Sequence, residues 1–547
     1  MHNIKVLTAT SLFDGHDVSV NIFRRLLQKR GAEVIHLGHN RSVKEVLAVA
    51  IQEDVDGLLI SSYQGGHNEY FKFLVDNLKE NNSQDKMIFG GGGGVILPSE
   101  ISALEEYGVK KLYHAVDGQK IGIDGIADDI VNKIREFKDS GLFNDLKNID
   151  ENLITQNTPS DHYSIAKQIS FIEENIQNQD KMNIIRDLYK NYDKNSSLVL
   201  GVTGTGGSGK SSMIDELIGR FLSFTENVNI AVLAIDPTKS KTGGALLGDR
   251  IRYNQIYNSR VYFRSFATRG SANELSIAIN DSIAVLKSCG FDIIFVETSG
   301  IGQGDSGVAN ISDYSIYVMT SEFGAPTQLE KIDMLDVANY IVINKFEKQG
   351  SEDALREVMI NYIRTHQVKL PHNIPLEQQN LPVYATSSNQ FNNHGMNRLF
   401  KDLLNLLVKE KGKNYIANVE MIDLLPIDLN RDFGLIDNRR VNYLAEISDT
   451  IKEYHNIAEN QAVLASDTFA IKQAIKQIDD SDAIKILKTK FEDNWELLKN
   501  ETKNFLANWD ETKEKYQIDE LKYEIQGREY TIGLYNKIGR ASCRERV

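Results

Sequence analysis

Two short segments hold the residues whose types and spacing could do chemistry. The first, Asp14-Gly15-His16-Asp17-Val18-Ser19, follows an apolar run. Its imidazole could ligate a transition-metal ion, and Asp14 could accept the second ring N–H, fixing tautomer and basicity. The second, Gly204-Thr205-Gly206-Gly207-Ser208-Gly209-Lys210-Ser211, fills every required position of a phosphate-binding loop. Backbone N–H groups from Gly206 through Gly207, Ser208 and Gly209 to Ser211 would cradle phosphates where a helix begins, with Ser212 at its start. Lys210 would reach the β- and γ-phosphates, and the Ser211 hydroxyl would ligate Mg2+.

Further candidates fall at strand ends downstream. Phe291 to Val296 is an apolar run ending in Glu297-Thr298-Ser299-Gly300-Ile301-Gly302-Gln303. An acid there is where nucleotide hydrolases hold a metal's water shell. Val232 to Ile235 runs into Asp236-Pro237, and Gly243 to Arg252 follows with Asp249 inside it. Asp236, Asp249, Glu297 and Thr298 join Ser211 as candidate Mg2+ residues. Lys210 and Glu297 are the candidate catalytic pair, and Arg252 could touch phosphate. Gln303 is a tempting hydrolytic base, but its adjacent glycines leave its direction open. Asn344-Lys345-Phe346-Glu347 resembles the N-K-x-D signature, in which a carboxylate accepts hydrogen bonds from guanine N1 and N2. Glu347 is one methylene longer and can still accept both, so GTP is the expected nucleotide. Ala385 to Asn389 takes the place of the remaining base-contact loop.

The elements that must position these residues alternate. Ile4 to Thr10, Val34 to Gly38, Gly57 to Ser61, Met87 to Gly90 and Lys111 to Ala115 read as short apolar strands. Between them lie helical stretches such as Val18 to Lys29, with Val20, Phe23, Leu26 and Leu27 on one face. Alternation of this kind implies a parallel, doubly wound sheet, whose ligands collect outside the C-terminal strand ends. His16, Ser61-Ser62-Tyr63 and Gly90 to Gly94 all fall on that edge. Ser197 to Val202 is the strand before the phosphate loop, and Ser212 to Phe221 the helix after it.

The chain of 547 residues is too long for one core. A net charge of −14 argues against nucleic acid or an anionic membrane as main partner. No apolar run is long enough to span a bilayer. The start enters a strand at once, without a signal-peptide layout. Two cysteines, Cys289 and Cys543, make no disulfide framework, and a cytoplasmic location is expected. Ile538 to Val547 carries three arginines after a lysine-rich chain. It resembles the translation of a sequencing adapter and is set aside, so the chain is expected to be the front of something longer. His36, His39 and His67 read as structural or pocket-lining.

The first region resembles the cobalamin-binding domain of adenosylcobalamin mutases, with its pattern D-x-H-x-x-G, S-x-L and G-G. Here Ser19 stands for the glycine and Tyr63 for the leucine, while the spacings agree, with 41 residues between Ser19 and Ser61 and 26 between Tyr63 and Gly90. The resemblance implies that His16 ligates cobalt, backed by Asp14, and that Ser61, Gly90 and Gly91 line the path of the cofactor's nucleotide tail. The E-T-x-G-x-G-Q and D-P…G-G-x-L-L-G-D segments resemble the MeaB/ArgK group of G-protein chaperones.

Together the regions resemble the fused isobutyryl-CoA mutase family over residues 1–537. The resemblance implies an α/β architecture: a flavodoxin-like cobalamin-binding domain at 1–140, a linker at 141–196, a P-loop GTPase domain at 197–410 and a helical linker region at 411–537. It implies adenosylcobalamin, GTP and Mg2+ as cofactors, and a GTPase that gates cofactor loading. A substrate barrel would follow in the family, so acyl-CoA, of the isobutyryl/n-butyryl type, would bind only through a part absent here. A homodimer is expected of the full-length enzyme. The alternatives are a non-enzymatic corrinoid carrier or sensor with a nucleotide switch, and a metal-insertion GTPase.

Overall fold

In the computed structural model, continuous apolar runs become two all-parallel sheets, as expected of strands covered by helices on both faces. The structure describes residues 3–533 except 141–157, 190–196, 240, 270–275, 299, 301–306, 325–328, 330–331, 369–375, 377–378, 412–414, 416–418, 426, 428–442, 518–519 and 526. Gln303 and the 538–547 tail therefore lie outside the described residues.

The first sheet takes β1 (Lys5–Ser11), β2 (Glu33–Arg41), β3 (Gly57–Ser61), β4 (Met87–Gly91) and β5 (Lys111–Tyr113), in the order β5-β4-β3-β1-β2. That is the flavodoxin-like order, with its switch point beside β1. The helix Val18–Lys29 forms with the bounds its apolar face suggests.

The second sheet holds β6 (Leu198–Gly204), β7 (Ile230–Asp236), β9 (Val261–Ala267), β10 (Ile293–Glu297), β11 (Tyr314–Met319), β12 (Tyr340–Ile343) and β13 (Val383–Ala385), ordered β13-β12-β11-β6-β10-β7-β9. Between β7 and β9, β8 (Ala245–Leu247) leaves this sheet and adds to the free edge of β2 in the first one. The segment that leads to Asp249, for which the sequence suggests no strand, is thus a strand added to the first sheet.

Residues read as part of a linker also carry structure. Helices His162–Asn175 and Gln179–Tyr189 bury Ile165, Ile169, Ile172, Met182 and Ile185 in one core with Leu233, Phe291 and Ile294. Their spacing along the first helix is a helical stripe, which needs a partner surface to bury it.

Residues 1–435 and 436–547 form two compact units. The second holds helices Tyr443–Ile475 and Ser481–Leu497, two shorter helices, and a hairpin of β14 (Glu520–Ile525) and β15 (Arg528–Gly533). Tyr443, Ile447, Ile451 and Tyr454, which recur at helical spacing along the first of these helices, stand exposed. No described helix is long and apolar enough to cross a membrane.

Candidate functional site

At the C-terminal edge of the first sheet, the turn after β1 is built around a buried acid. Asp14 Oδ1 accepts the His16 backbone N–H at 2.9 Å and lies 2.8 Å from His16 Nδ1, while Oδ2 accepts the Tyr63 N–H at 2.6 Å. Burial alone would raise the Asp14 carboxyl, but the donors from Tyr63 and His16 outweigh it and hold it below its ordinary value. An ionised Asp14 fixes the proton on Nδ1. With the His16 side chain 67% exposed, Nε2 is the nitrogen open to a metal. The Tyr63 ring packs 5.4 Å from the imidazole.

The turn is tied down from behind. Thr10 Oγ1 donates to the Asp14 carbonyl at 2.8 Å, and Asn40 Oδ1 accepts the Phe13 N–H at 2.7 Å. Ser19 and Ser61 hydroxyls meet at 3.0 Å on the same edge. This donor set suits a corrinoid whose cobalt takes an imidazole. Gly90 and Gly91 answer first to the sheet itself. A Cβ at Gly90 would stand 2.6 Å from the Ile60 carbonyl, and one at Gly91 2.8 Å from that of Tyr113. His36 faces Thr8 Oγ1 at 3.0 Å and is pushed down to about 4 by burial, so it is a neutral structural group. His67 is engaged by Glu100 at 3.1 Å.

In the second sheet, β6 feeds the phosphate loop and the helix Lys210–Phe224. Gly207 and Gly209 take φ of 75° and 92°, which side chains resist. A Cβ at Gly209 would also collide with the Asn344 amide. Lys210 Nζ is buried and donates to the Gly204 and Thr205 carbonyls at 3.1 and 3.2 Å. Ser212 is exposed at the helix start.

The acids converge beside Ser211. Its hydroxyl donates to Glu297 Oε1 at 2.7 Å, and Tyr253 Oη donates to Glu297 Oε2 at 2.5 Å. Burial, then Asp249, push the Glu297 carboxyl above its ordinary range. Asp236 is raised by burial and by both other acids, and accepts the Gly248 N–H at 3.1 Å. Neighbouring buried carboxylates of this kind suit a divalent cation, which would relieve the repulsion that raises Asp236 and Glu297. Among the described residues no three His, Cys, Asp or Glu side chains are grouped closely enough to ligate an ion directly. The acids therefore suit the water shell of an ion held by Ser211 and phosphate.

Arg252 pairs with Asp249 at 3.0 Å and so stands at this cluster. Thr298 directs its hydroxyl proton to Thr203 Oγ1 instead, at 2.8 Å. Tyr253 was not signalled by the sequence. Asp215, on the phosphate-loop helix, accepts the N–H groups of Asn254 and Gln255 at 2.9 Å and holds the Tyr253 segment in place.

Asn344 rivets the two nucleotide loops. Nδ2 donates to the Ser208 carbonyl at 2.8 Å, and Oδ1 accepts from Thr386 Oγ1, Ser388 N and Ser388 Oγ at 3.0–3.2 Å. Lys345 has φ of 57°. Glu347 is exposed and accepts from Asn389 Nδ2 at 3.3 Å, which brings the two expected base-contact segments together.

Known proteins match in the same two places. The family model of the B12 binding domain matches residues 4–111, and that of the methylmalonyl-CoA mutase-associated GTPase MeaB matches 165–406. The fused isobutyryl-CoA mutase of Geobacillus kaustophilus is 45% identical over 546 residues, covering 98% of this chain and 48% of that protein. That of Cupriavidus metallidurans is 39% identical over 546 residues, covering 97% and 47%. The methylmalonic aciduria type A homolog of Caenorhabditis briggsae is 33% identical over 162 residues, covering 29% and 39%.

Fold and site thus define a corrinoid-binding sheet joined to a MeaB-type G-protein domain. Within that class the chain belongs with the fused isobutyryl-CoA mutases, of whose length it spans about half.

Proposed function

We propose that this chain binds adenosylcobalamin through His16, and binds and hydrolyses Mg2+·GTP at the Ser211–Glu297 cluster. The supporting observation is the Asp14-held imidazole and the converging acid cluster standing in one compact unit. Asp14 keeps His16 in the tautomer that offers Nε2, while Ser61, Gly90 and Gly91 lie along the tail's path. When bound, adenosylcobalamin supplies the cobalt–carbon bond whose homolysis begins radical chemistry.

On the nucleotide side, the N–H groups of Gly207 to Ser212 hold the phosphates and Lys210 neutralises charge on the transferred group. Ser211 is a direct Mg2+ ligand. Asp236, Asp249 and Glu297 hold its water shell, while Thr298, next to Glu297, is turned to Thr203, and Arg252 lies within reach of phosphate. Asn344, Lys345 and Glu347 select guanine, with Asn389 steadying the longer Glu347 carboxylate. Nucleotide state gates cofactor loading.

The carbon-skeleton rearrangement of an acyl-CoA, of the isobutyryl/n-butyryl type, is proposed for proteins of the relatives' full length. This chain alone is expected to carry cofactor and nucleotide without it. Cytoplasmic location and a homodimeric full-length enzyme complete the reading.

GTP hydrolysis with Mg2+ tests it. Lys210→Ala should lower the rate by about a hundredfold or more. Hydrolysis that survives the substitution would refute the site.

A further inference from the structure

Tyr253 stands one residue past the short helical turn Asp249–Arg252, and its N–H donates to the Arg250 carbonyl at 3.2 Å. The residue is 2% exposed, and its ring meets that of Phe263 on β9 edge-on, with centroids 5.0 Å apart. Just beyond it the chain is fastened to the phosphate-loop helix. Asp215 accepts the Asn254 and Gln255 N–H groups through Oδ1 and the Asn254 side-chain Nδ2 through Oδ2, at 2.9, 2.9 and 3.1 Å. Ring packing and the Asp215 anchor together leave the phenol little freedom, so its hydroxyl is delivered at a fixed point.

That point is the second oxygen of Glu297. Ser211 Oγ donates to Oε1 at 2.7 Å and Tyr253 Oη to Oε2 at 2.5 Å, each from a different element. One donor alone would let the carboxylate pivot about that bond. A donor on each oxygen fixes its plane. Glutamate has one more rotatable bond than aspartate, and the second donor removes that freedom. Both groups are buried, so losing the hydroxyl would orphan Oε2 rather than hand it to solvent.

Mg2+ demands a near-ideal octahedron and dehydrates reluctantly. A carboxylate that holds its water shell must therefore present its oxygens at the right angle, and the partners that orient such a carboxylate matter nearly as much as the carboxylate itself.

We infer that Tyr253 is a positioning residue for the metal of the nucleotide site: its hydroxyl fixes the plane of the Glu297 carboxylate and so sets the Mg2+ concentration at which nucleotide is held tightly. This rests on the functional reading above. The ring is the carrier and the hydroxyl the acting group, so Tyr253→Phe separates the two.

The test titrates the full 547-residue chain with a fluorescent GDP analogue, first in EDTA and then with rising Mg2+. In the wild type Mg2+ should tighten GDP binding. In Tyr253→Phe the Mg2+ concentration giving half of that gain should rise by about tenfold or more, as expected when a metal-holding carboxylate loses a hydrogen-bond partner. Affinity for GDP in EDTA should stay within about twofold of wild type, because the phosphate loop's own N–H groups are untouched. An unchanged or lower Mg2+ requirement overturns the inference. So does a loss of affinity in EDTA as large as that in Mg2+, which would make Tyr253 a packing residue only. Should Tyr253→Phe fail to fold, hydrogen exchange of the wild type decides. Linkage is reciprocal, so Mg2+ added to the GDP complex must raise the protection of the Asn254 and Gln255 amides, and equal protection overturns the inference. A wild type that binds no GDP, or binds it equally with and without Mg2+, refutes the functional reading, and the inference falls with it.

Discussion

Removing the Asn344 side chain should loosen the nucleotide site by an amount the structure lets one work out. The side chain is 2% exposed and makes four hydrogen bonds, one to the phosphate loop and three to the 386–388 segment. Alanine leaves the Ser208 carbonyl and the Ser388 N–H without this partner. Each orphaned backbone group costs about 1–3 kcal/mol, less whatever water restores. The two together come to about 2–4 kcal/mol. With roughly half of that expressed in ligand affinity, Asn344→Ala weakens guanine-nucleotide binding by about five- to thirtyfold, since about 1.4 kcal/mol is a factor of ten. The remainder lowers the urea midpoint. Titration with a fluorescent GDP analogue reads the first effect and equilibrium denaturation the second. A dissociation constant within about twofold of wild type, with an unchanged midpoint, would refute the rivet argument.

Two other predictions concern the first sheet and its border. Asp14→Asn removes the charge that three N–H donors share, and cobalamin binding should weaken by about ten- to a hundredfold. Wild-type affinity by absorbance titration would show that Asp14 does not orient the ligand. His162 is pushed down to about 4 by burial, then by Arg250, and its Nδ1 accepts from Gln52 at 3.0 Å. The unfolded chain therefore binds a proton between about pH 6.5 and 4 that the folded chain refuses. The stability from this group is fully present above about pH 6.5 and falls, by at most about 1 kcal/mol per pH unit, as pH drops toward 4. Acids such as Glu297 shift the wild-type profile the other way, so the comparison is with His162→Gln, whose unfolding profile should be flatter over that range. Identical slopes would contradict it.

Much of this was legible in the residues. Local alternation of apolar runs and amphipathic helices announces a parallel, doubly wound first sheet, and Val18–Lys29 needs only its apolar face to be bounded. The phosphate loop was legible because glycine spacing and a Lys-Ser pair have few other uses. What stayed hidden was long-range. β8 is three residues long and exists because β2 offers a free edge, which no local pattern announces. The 162–189 helices looked like connection until their isoleucine stripe met the core around Phe291. Tyr253 reaches Glu297 across a gap of 44 residues, so its role follows from folding rather than spacing. Gly90 and Gly91 were read as space for a ligand, yet neighbouring carbonyls already require them.

The central claim is that one imidazole, held by Asp14, makes the first sheet a corrinoid site. Titrating the chain with adenosylcobalamin and recording its absorbance spectrum, for wild type and His16→Ala, tests this directly. A base-off, histidine-ligated spectrum in the wild type that disappears in His16→Ala is the predicted result. No spectral change in the wild type, or the same spectrum in both proteins, would contradict it.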